Sequence, residues 1–297
     1  MSAPEICVIV VTWNDATRVT TAIDSFFALP EVRDEPGRYE LVVSDNGSQD
    51  GTPEALRARY GDRVRIVENG ANLGFGAGCN RAFAASGAGV YYLLNPDAEL
   101  RPGALAAMID FFARRPQAGI AGSRIYNLDG SVQESCGEFD SWVGAFLRSS
   151  AWGELPPLRK YANGYELRAW GYDDERRVDI VIGAAMAIRR ATVERVGAFD
   201  ERFFLYQEEV DLCKRAADAG IETWFVPSSE AAHEGMGSAT SRAAVERYKR
   251  AGRRLYWVKH HGYLWYYALC AALAGRYALY AAPLAAGALL IRRALGR

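Results

Sequence analysis

Glu208, Glu209 and Asp211 follow, after Gln207, the largely aromatic run Phe203, Phe204, Leu205 and Tyr206. Acidic residues in the first turn of a helix are favoured by its dipole, which is one sufficient reason for them. Against an apolar wall a carboxylate also gains proton affinity and approaches the range of a useful general base. A further carboxylate, Asp97, follows the apolar run Val90–Leu94 and the Asn95-Pro96 stop. Proline removes a ladder donor and turns the preceding residue out of the helical region, so the strand ends there. Asp97 and Glu99 are therefore expected on a loop beyond the carboxyl end of a central strand, the edge where α/β sheets bind ligands. Asp97 there suits a divalent cation and a phosphate, or it caps the helix opening near Pro102 and Gly103. His233 is either a metal ligand or a polar loop residue. Asp45 either accepts hydrogen bonds from a base or ribose or closes an Asx turn.

The elements that must carry these groups alternate. Ile6–Val11 is a continuous apolar run, the pattern of a strand buried on both faces, and it ends in Thr12, Trp13, Asn14 and Asp15. A helix with Val19, Ile23, Phe26 and Phe27 on its inner face follows. Tyr39–Val43 is a second strand leading into the turn-rich stretch 44–52, and Thr52-Pro53 opens a helix. Val64–Val67 is a third strand. Gly74, Gly76 and Gly78 then precede a helix expected over Arg81–Ala85, where they either admit a ligand close to the backbone or allow tight packing. Val90–Leu94 is the fourth strand, followed by helix Pro102–Arg115 and a short strand Gly119–Gly122. Val178–Ile182, Ala185–Ile188 and Glu222–Val226 supply further strands. The alternation predicts an α/β fold, a mostly parallel sheet with helices on both faces.

Two nucleotide-binding classes are excluded. The turn after the first strand has no glycine, so it is not a dinucleotide fingerprint, and no Gly-Lys-Ser/Thr makes a phosphate-cradling loop. Nor does a glycine-rich loop with lysine or arginine follow the first strand, as a nucleotidyltransferase would need.

Of 297 residues, 24% are charged and the net charge is −1. The segment from Arg242 onward holds 11 Lys/Arg against the single acid Glu246. That asymmetry predicts a tail that meets a negatively charged surface. Residues 1–240 are expected to form the main domain, with an irregular acceptor-side insertion over 126–177. Residues 241–297 are expected to form a C-terminal helical appendage: a basic helix Arg242–His261, then two apolar blocks split by Arg276. Neither block reaches the roughly 18 to 20 residues of a membrane span. The basic and aromatic flanks suit helices lying in a membrane interface. A packed hairpin or a homo-oligomer interface is the alternative. Five scattered cysteines without a CxxC pair read as reduced, buried thiols, and no secretory signal opens the chain. A cytoplasmic protein, peripheral on the inner face of a bacterial membrane, is expected, with no nucleic-acid partner.

The ordered set of 10–14, 44–52, 72–80, 94–97, 197–200, 207–212 and His233 resembles glycosyltransferase family 2, in particular its rhamnosyltransferase-like members. The resemblance covers about residues 5–240. It implies a GT-A (Rossmann-like) fold, a nucleotide-diphosphate sugar donor such as dTDP-rhamnose, and inversion at the anomeric carbon. It implies that Thr12 and Asn14 border the nucleotide, Asp45 contacts its base, and Asn72 with Gly74 lies near the donor. Asn95 and Asp97 stand at the family's DxD-type motif, so Asp97 would hold Mg²⁺ or Mn²⁺, with His233 a second ligand. The second acid of the family's Glu-Asp motif is the catalytic base, and that position is Glu209, a glutamate where aspartate is commoner. Glu208 and Asp211 remain supporting candidates. The implied acceptor is a hydroxyl of a glycan or a polyprenyl-diphosphate-linked sugar, in cell-surface polysaccharide synthesis. A UDP-sugar or another dTDP-hexose as donor, or a nucleotide-sugar-binding module with a degraded site, are the competing expectations.

Overall fold

All seven residues of β1 (Ile6–Thr12) are buried, and the first half of the sheet is built outward from this strand. It pairs in parallel with β2 (Tyr39–Asp45) on one side and β4 (Val90–Leu94) on the other, and β3 (Arg65–Glu68) extends the parallel run beyond β2. The computed structural model describes residues 3–139, 141, 144, 147, 170–235 and 242–294, as backbone only at 242 and beyond 271. These fall into two units, Met1–Phe139 with Glu166–Arg253, and Asp140–Tyr165 with Arg254–Arg297.

The first unit carries the whole main sheet. Beyond β4 its order continues through β11 (Ala185–Arg189), β6 (Ala118–Tyr126), β12 (Glu222–His233) and β5 (Ala98–Leu100). Here the pairing is mixed: β11 is antiparallel to both β4 and β6, and β12 is parallel to β6 and antiparallel to β5. Short strands β7 (Val132–Gln133) and β9 (Arg176–Val178) flank β6 and β12, while β8 (Cys136–Gly137) and β10 (Ile180–Val181) make a separate pair.

Alternation along β1 divides the core in two, as a period of two requires. Val8 and Val10 join Val19, Ile23 and Phe26 of α1 (Ala16–Ala28) and Met108 and Phe111 of α5 (Ala104–Arg114). Cys7, Ile9 and Val11 join Cys79, Ala82 and Phe83 of α4 (Phe75–Ala85) and Leu212, Cys213 and Ala216 of α7 (Glu208–Asp218). Helices α2 (Pro30–Asp34), α3 (Thr52–Tyr60) and α6 (Arg190–Val196) complete this unit's cover.

Three local expectations change. Helix α4 begins at Phe75, not Arg81, so Gly76 and Gly78 lie inside its first turns. A methyl on Gly78 would stand 2.7 Å from Val11 Cγ1, and one on Gly76 3.0 Å from Phe199 Cβ. These two glycines serve close packing of helix on sheet. Strand β12 runs seven residues past Val226 because a wide bulge absorbs Pro227, Ser228 and Ser229, none of which pairs with β6. Proline cannot donate to a ladder, and a bulge is where a strand tolerates it. His233 is consequently the last residue of a strand, not a loop residue, and Glu99 lies in β5. Of the insertion expected at 126–177, most lies outside the described residues. At its described end the Trp170 and Tyr172 rings stack at 4.4 Å and pack edge-on against Phe225.

Helix α8 (Arg242–Ala294) breaks at Gly262, whose φ of 83° is left-handed. Its turns as far as Arg253 belong to the first unit, and the rest to the second. In the second unit Tyr263, Leu264, Trp265 and Tyr267 are all more than half exposed. Among the described residues no helix is long and apolar enough to cross a membrane.

Candidate active site

The carboxyl ends of β1 and β2 bring Thr12 and Asp45 into register as neighbours. Thr12 is 1% exposed and its hydroxyl meets no partner among the described residues. Asp45 accepts the Gly47 and Ser48 N–H groups at 3.0 and 2.9 Å through Oδ2, so the Asx turn is real. Its Oδ1, buried, meets no partner either. An orphaned buried polar atom costs about 1–3 kcal/mol, and two on adjacent strands at a sheet's carboxyl edge make Thr12 and Asp45 candidates for contact with a polar molecule.

Side chains behind this pair fix the loops. Asn46 donates through Nδ2 to the Gly74 carbonyl at 3.0 Å and accepts from Asn69 at 2.9 Å. Asn72 accepts the Gly74 N–H at 3.1 Å, placing it inside the loop that caps α4. Asn14, at a left-handed φ of 51°, accepts the Gln49 N–H at 2.7 Å and joins the loops after β1 and β2. Between Thr12 and Asn14, Trp13 leaves 45% of its surface exposed, an aromatic face at the lip of the edge. The sequence motifs contain Asn46 and Trp13, but their spacing alone gave them no role.

Beyond β4, Ala98 N–H closes a turn onto the Asn95 carbonyl at 3.1 Å, with Pro96 in the position its fixed φ favours. Glu234 N–H holds the Asp97 carbonyl at 3.0 Å, and β12 places His233 opposite Ala98. The Asp97 Oδ1 and His233 Nε2 atoms consequently stand 3.2 Å apart, both side chains nearly buried. This excludes helix capping as the role of Asp97, since α5 has Gly103 at its N-cap and no side-chain cap. His233 Nδ1 lies 2.9 Å from Gln133 Oε1, an acceptor, and Asn95 Nδ2, a donor, lies 3.2 Å from Nε2. In the neutral imidazole these partners suit the tautomer with the proton on Nδ1, which turns the Nε2 lone pair toward the Asp97 carboxylate. Two lone pairs at that separation call for a proton or a cation between them. Burial alone would raise the Asp97 carboxyl; with the proton between them on Nε2, the hydrogen bond and charge of His233 together oppose burial and hold it below the ordinary carboxylate range. Arg18 borders a cleft of about 130 Å³ beside Asp97 and His233 and pairs with Glu234 through one guanidinium edge, Nε and Nη2. Gln133 had no signal in the sequence, because its segment has no periodicity.

The three acids of α7 separate by environment. Asp211, fully buried, pairs with Arg215 at 2.8 Å. Arg215 also donates to the carbonyls of Val196, Gly197 and Ala198. That carboxylate is committed to holding the Val196–Ala198 backbone against the helix. Glu208 is 4% exposed, with Oε2 lacking a partner among the described residues, and lies beside Gly76. Glu209, one helical step of about 100° away, is half-buried. Burial, joined by the charge of Glu209, pushes Glu208 far above the ordinary carboxylate range, and burial raises Glu209 as well. Contacts link this helix start to the Asp97 turn. Asn95 N–H donates to Ala184 at 3.0 Å, Gly183 abuts the Phe75 ring, and Phe75 N–H donates to Phe204 at 3.0 Å.

The family model described as Glycosyl transferase family 2 matches residues 7–166. The N-acetylglucosaminyl-diphospho-decaprenol L-rhamnosyltransferase of Mycobacterium tuberculosis is 36% identical over 204 residues, covering 65% of this chain and 66% of that relative, just under two thirds of its length. Among solved structures, the mannosyltransferase PcManGT from Pyrobaculum calidifontis in complex with GDP-Man and Mn²⁺ superposes with a TM-score of 0.55. Its identity is 20%, over 98% of this chain and 81% of that one. The Mycobacterium tuberculosis glucosyl-3-phosphoglycerate synthase, with Mn²⁺ and UDP, gives a TM-score of 0.54 at 16% identity over 86% and 79% of the two chains. The fold these share is GT-A.

The geometry assigns Asp211 to structure. Breaking a buried ion pair from one side costs about 3–5 kcal/mol. Asp211→Ala should therefore lose that much in denaturant unfolding. Wild-type stability in this variant would return Asp211 to the list of candidate bases.

Proposed function

The chain belongs to glycosyl transferase family 2, and from that premise we propose that it is an inverting, metal-dependent glycosyltransferase that moves a sugar from a nucleotide diphosphate to a lipid-linked acceptor. The observation that carries this is the buried pairing of Asp97 with the lone-pair edge of His233 at the ligand edge of the sheet. A carboxylate and an imidazole suit Mg²⁺ or Mn²⁺, which commonly keep water and substrate phosphate as their remaining ligands. Bound there, the cation would supply charge neutralisation for a diphosphate leaving group. Thr12 and Asp45 would engage the base or ribose through their unpaired atoms, with Asn14 and Trp13 bordering it. Asn72, Gly74 and Asn95 would shape the donor side.

Attack by an acceptor hydroxyl from the opposite face needs one general base. Glu209 fits best: its raised proton affinity comes from burial, and it is more accessible than Glu208. Glu208 would keep the environment apolar in effect, since its own burial favours the neutral acid.

For the sugar, the support is the 36% identity to a relative named an L-rhamnosyltransferase acting on N-acetylglucosaminyl-diphospho-decaprenol. We take dTDP-rhamnose as donor and a polyprenyl-diphosphate-linked sugar as acceptor, in cell-surface polysaccharide synthesis. The lipid acceptor also gives the tail a reason. Tyr263, Leu264, Trp265 and Tyr267 are exposed beside a strongly basic segment, a composition that favours the interface of an anionic bilayer. We take the protein to act peripherally on the cytoplasmic face of the membrane.

A transfer assay with dTDP-rhamnose and a GlcNAc-diphospho-lipid tests the function, with UDP-glucose and dTDP-glucose as competitor donors. Transfer from dTDP-rhamnose alone is expected; transfer only from a competitor would overturn the donor, and no transfer or donor hydrolysis from any would leave a binding module. General-base assistance is worth roughly 10² to 10⁴ in rate, so Glu209→Gln should lower kcat by that factor at unchanged donor Kd. The base must be ionised to act and its proton affinity is raised. The wild-type rate should therefore fall with acidification through a midpoint above the ordinary carboxylate range. Near-normal turnover in Glu209→Gln, with Glu208→Gln inactive, would move the base to Glu208.

Binding to phosphatidylglycerol vesicles at low salt should weaken at least about tenfold when Tyr263, Leu264 and Tyr267 are together replaced by serine. Even one buried apolar side chain is worth about 1.5 kcal/mol. Indifference of the wild-type chain to such vesicles would leave the packed hairpin or oligomer interface as the account of this surface.

A further inference from the structure

Tyr206 and Gln207, which lead into the first turn of α7, both hold left-handed backbone, with φ of 70° and 76°. Non-glycine residues rarely adopt that conformation, and two in succession persist only where surrounding packing over-determines them. One side of this segment is held by the donor loop. Phe75 N–H donates to the Phe204 carbonyl at 3.0 Å, and a side chain on Gly74 would collide with that same carbonyl.

The other side is held by α8, through turns that belong to the same unit. The Tyr248 ring lies 4.9 Å from the Phe204 ring, and the Lys249 ammonium 5.3 Å from the Tyr206 ring. Gly252 is buried, and a Cβ built on it would stand 2.5 Å from the Tyr206 carbonyl oxygen and 3.3 Å from Gln207 Cγ. Glycine within a helix is less stable than alanine, and Gly252 has no positive φ to justify it. The close approach of the Tyr206 carbonyl is the reason the structure offers.

We infer that the Tyr248–Gly252 turn of α8 is a positioning strut for the general base. It presses on the strained Tyr206–Gln207 backbone and so fixes the direction in which Glu208 and Glu209 leave the first turn of α7. Gln207 is the N-cap residue of that turn, and its carbonyl accepts the Asp211 N–H at 2.9 Å. Any shift of Tyr206 is passed directly to the two carboxylates. Tyr248 and Gly252 act only through this backbone, as positioning residues. The inference rests on the base lying at Glu209 or its neighbour Glu208.

The test is Gly252→Ala in the full chain. Small misplacements of a reacting group have large effects on rate, so kcat should fall by at least about tenfold with donor Kd unchanged. Amide exchange at Asp211 and Phe75 should quicken, which a general loss of stability confined to α8 would not produce. Tyr248→Leu keeps apolar volume but removes the ring, and should show the same split to a smaller degree. It decides the matter if Gly252→Ala does not fold. Wild-type kcat and exchange in the folded variants would overturn the strut. An inactive Glu209→Gln beside a fully active Gly252→Ala would remove the strut and leave the base in place. An active Glu209→Gln beside a slow Gly252→Ala would keep the strut and move the base to Glu208.

Discussion

A carboxylate and an imidazole lone pair facing each other at 3.2 Å, both out of water, cannot be left to chance. Holding Asp97 against His233 takes three separate elements. The Asn95–Ala98 turn aims the carboxylate. The bulge at Pro227–Ser229 sets the register of β12 so that its last residue meets Ala98. Gln133, on the two-residue strand β7, fixes the imidazole tautomer. The bulge is itself pinned from within the core, where Ser229, Ser123 and Tyr92 form a chain of hydroxyl contacts of 2.7 Å each. Satisfied buried hydroxyls of this kind rigidify the backbone that carries them.

The two halves of the sheet contribute different things to the site. The parallel half, β3-β2-β1-β4, converges its carboxyl ends on one edge, with Thr12 and Asp45 as the last residues of β1 and β2 and Asn14 and Asn95 just beyond strand ends. The mixed half supplies His233 and, through Ala184, the contact that joins the Asp97 turn to the start of α7. Glycines at 76 and 78 make this possible by letting α4 lie directly on β1 and Phe199. The proposed donor side and the proposed base side thus meet across one short segment, Phe204–Gln207.

Much of this was legible in the sequence. The apolar runs at Ile6, Tyr39 and Val90 gave their strands within a residue or two, because strands buried on both faces admit little else. Asp97 was legible because Asn95-Pro96 stops a strand whatever surrounds it. The place of His233 was not, since Pro227 and two serines look like the end of a strand when read locally. Only pairing with β6 and β5 carries β12 past them. The start of α4 was missed because glycines 74, 76 and 78 suggest a loop, and the need for close packing that overrides their low helix propensity is tertiary. Gln133 and the Tyr248–Gly252 turn lie far in sequence from what they touch, in segments whose own pattern is silent about partners. The three acids could be named from the sequence, but their separation into a structural ion pair and two high-affinity carboxyls needed Arg215 and the depth of burial.

The proposed chemistry depends most directly on whether Asp97 and His233 form a cation site that a nucleotide completes. Calorimetric titration of Mn²⁺ into the full chain, with dTDP present, measures that without relying on turnover. The account predicts one Mn²⁺ per chain, bound more tightly with dTDP than without it. It further predicts binding weakened by at least about tenfold in both Asp97→Asn and His233→Ala. Equal Mn²⁺ affinity in the wild type and both variants would contradict it.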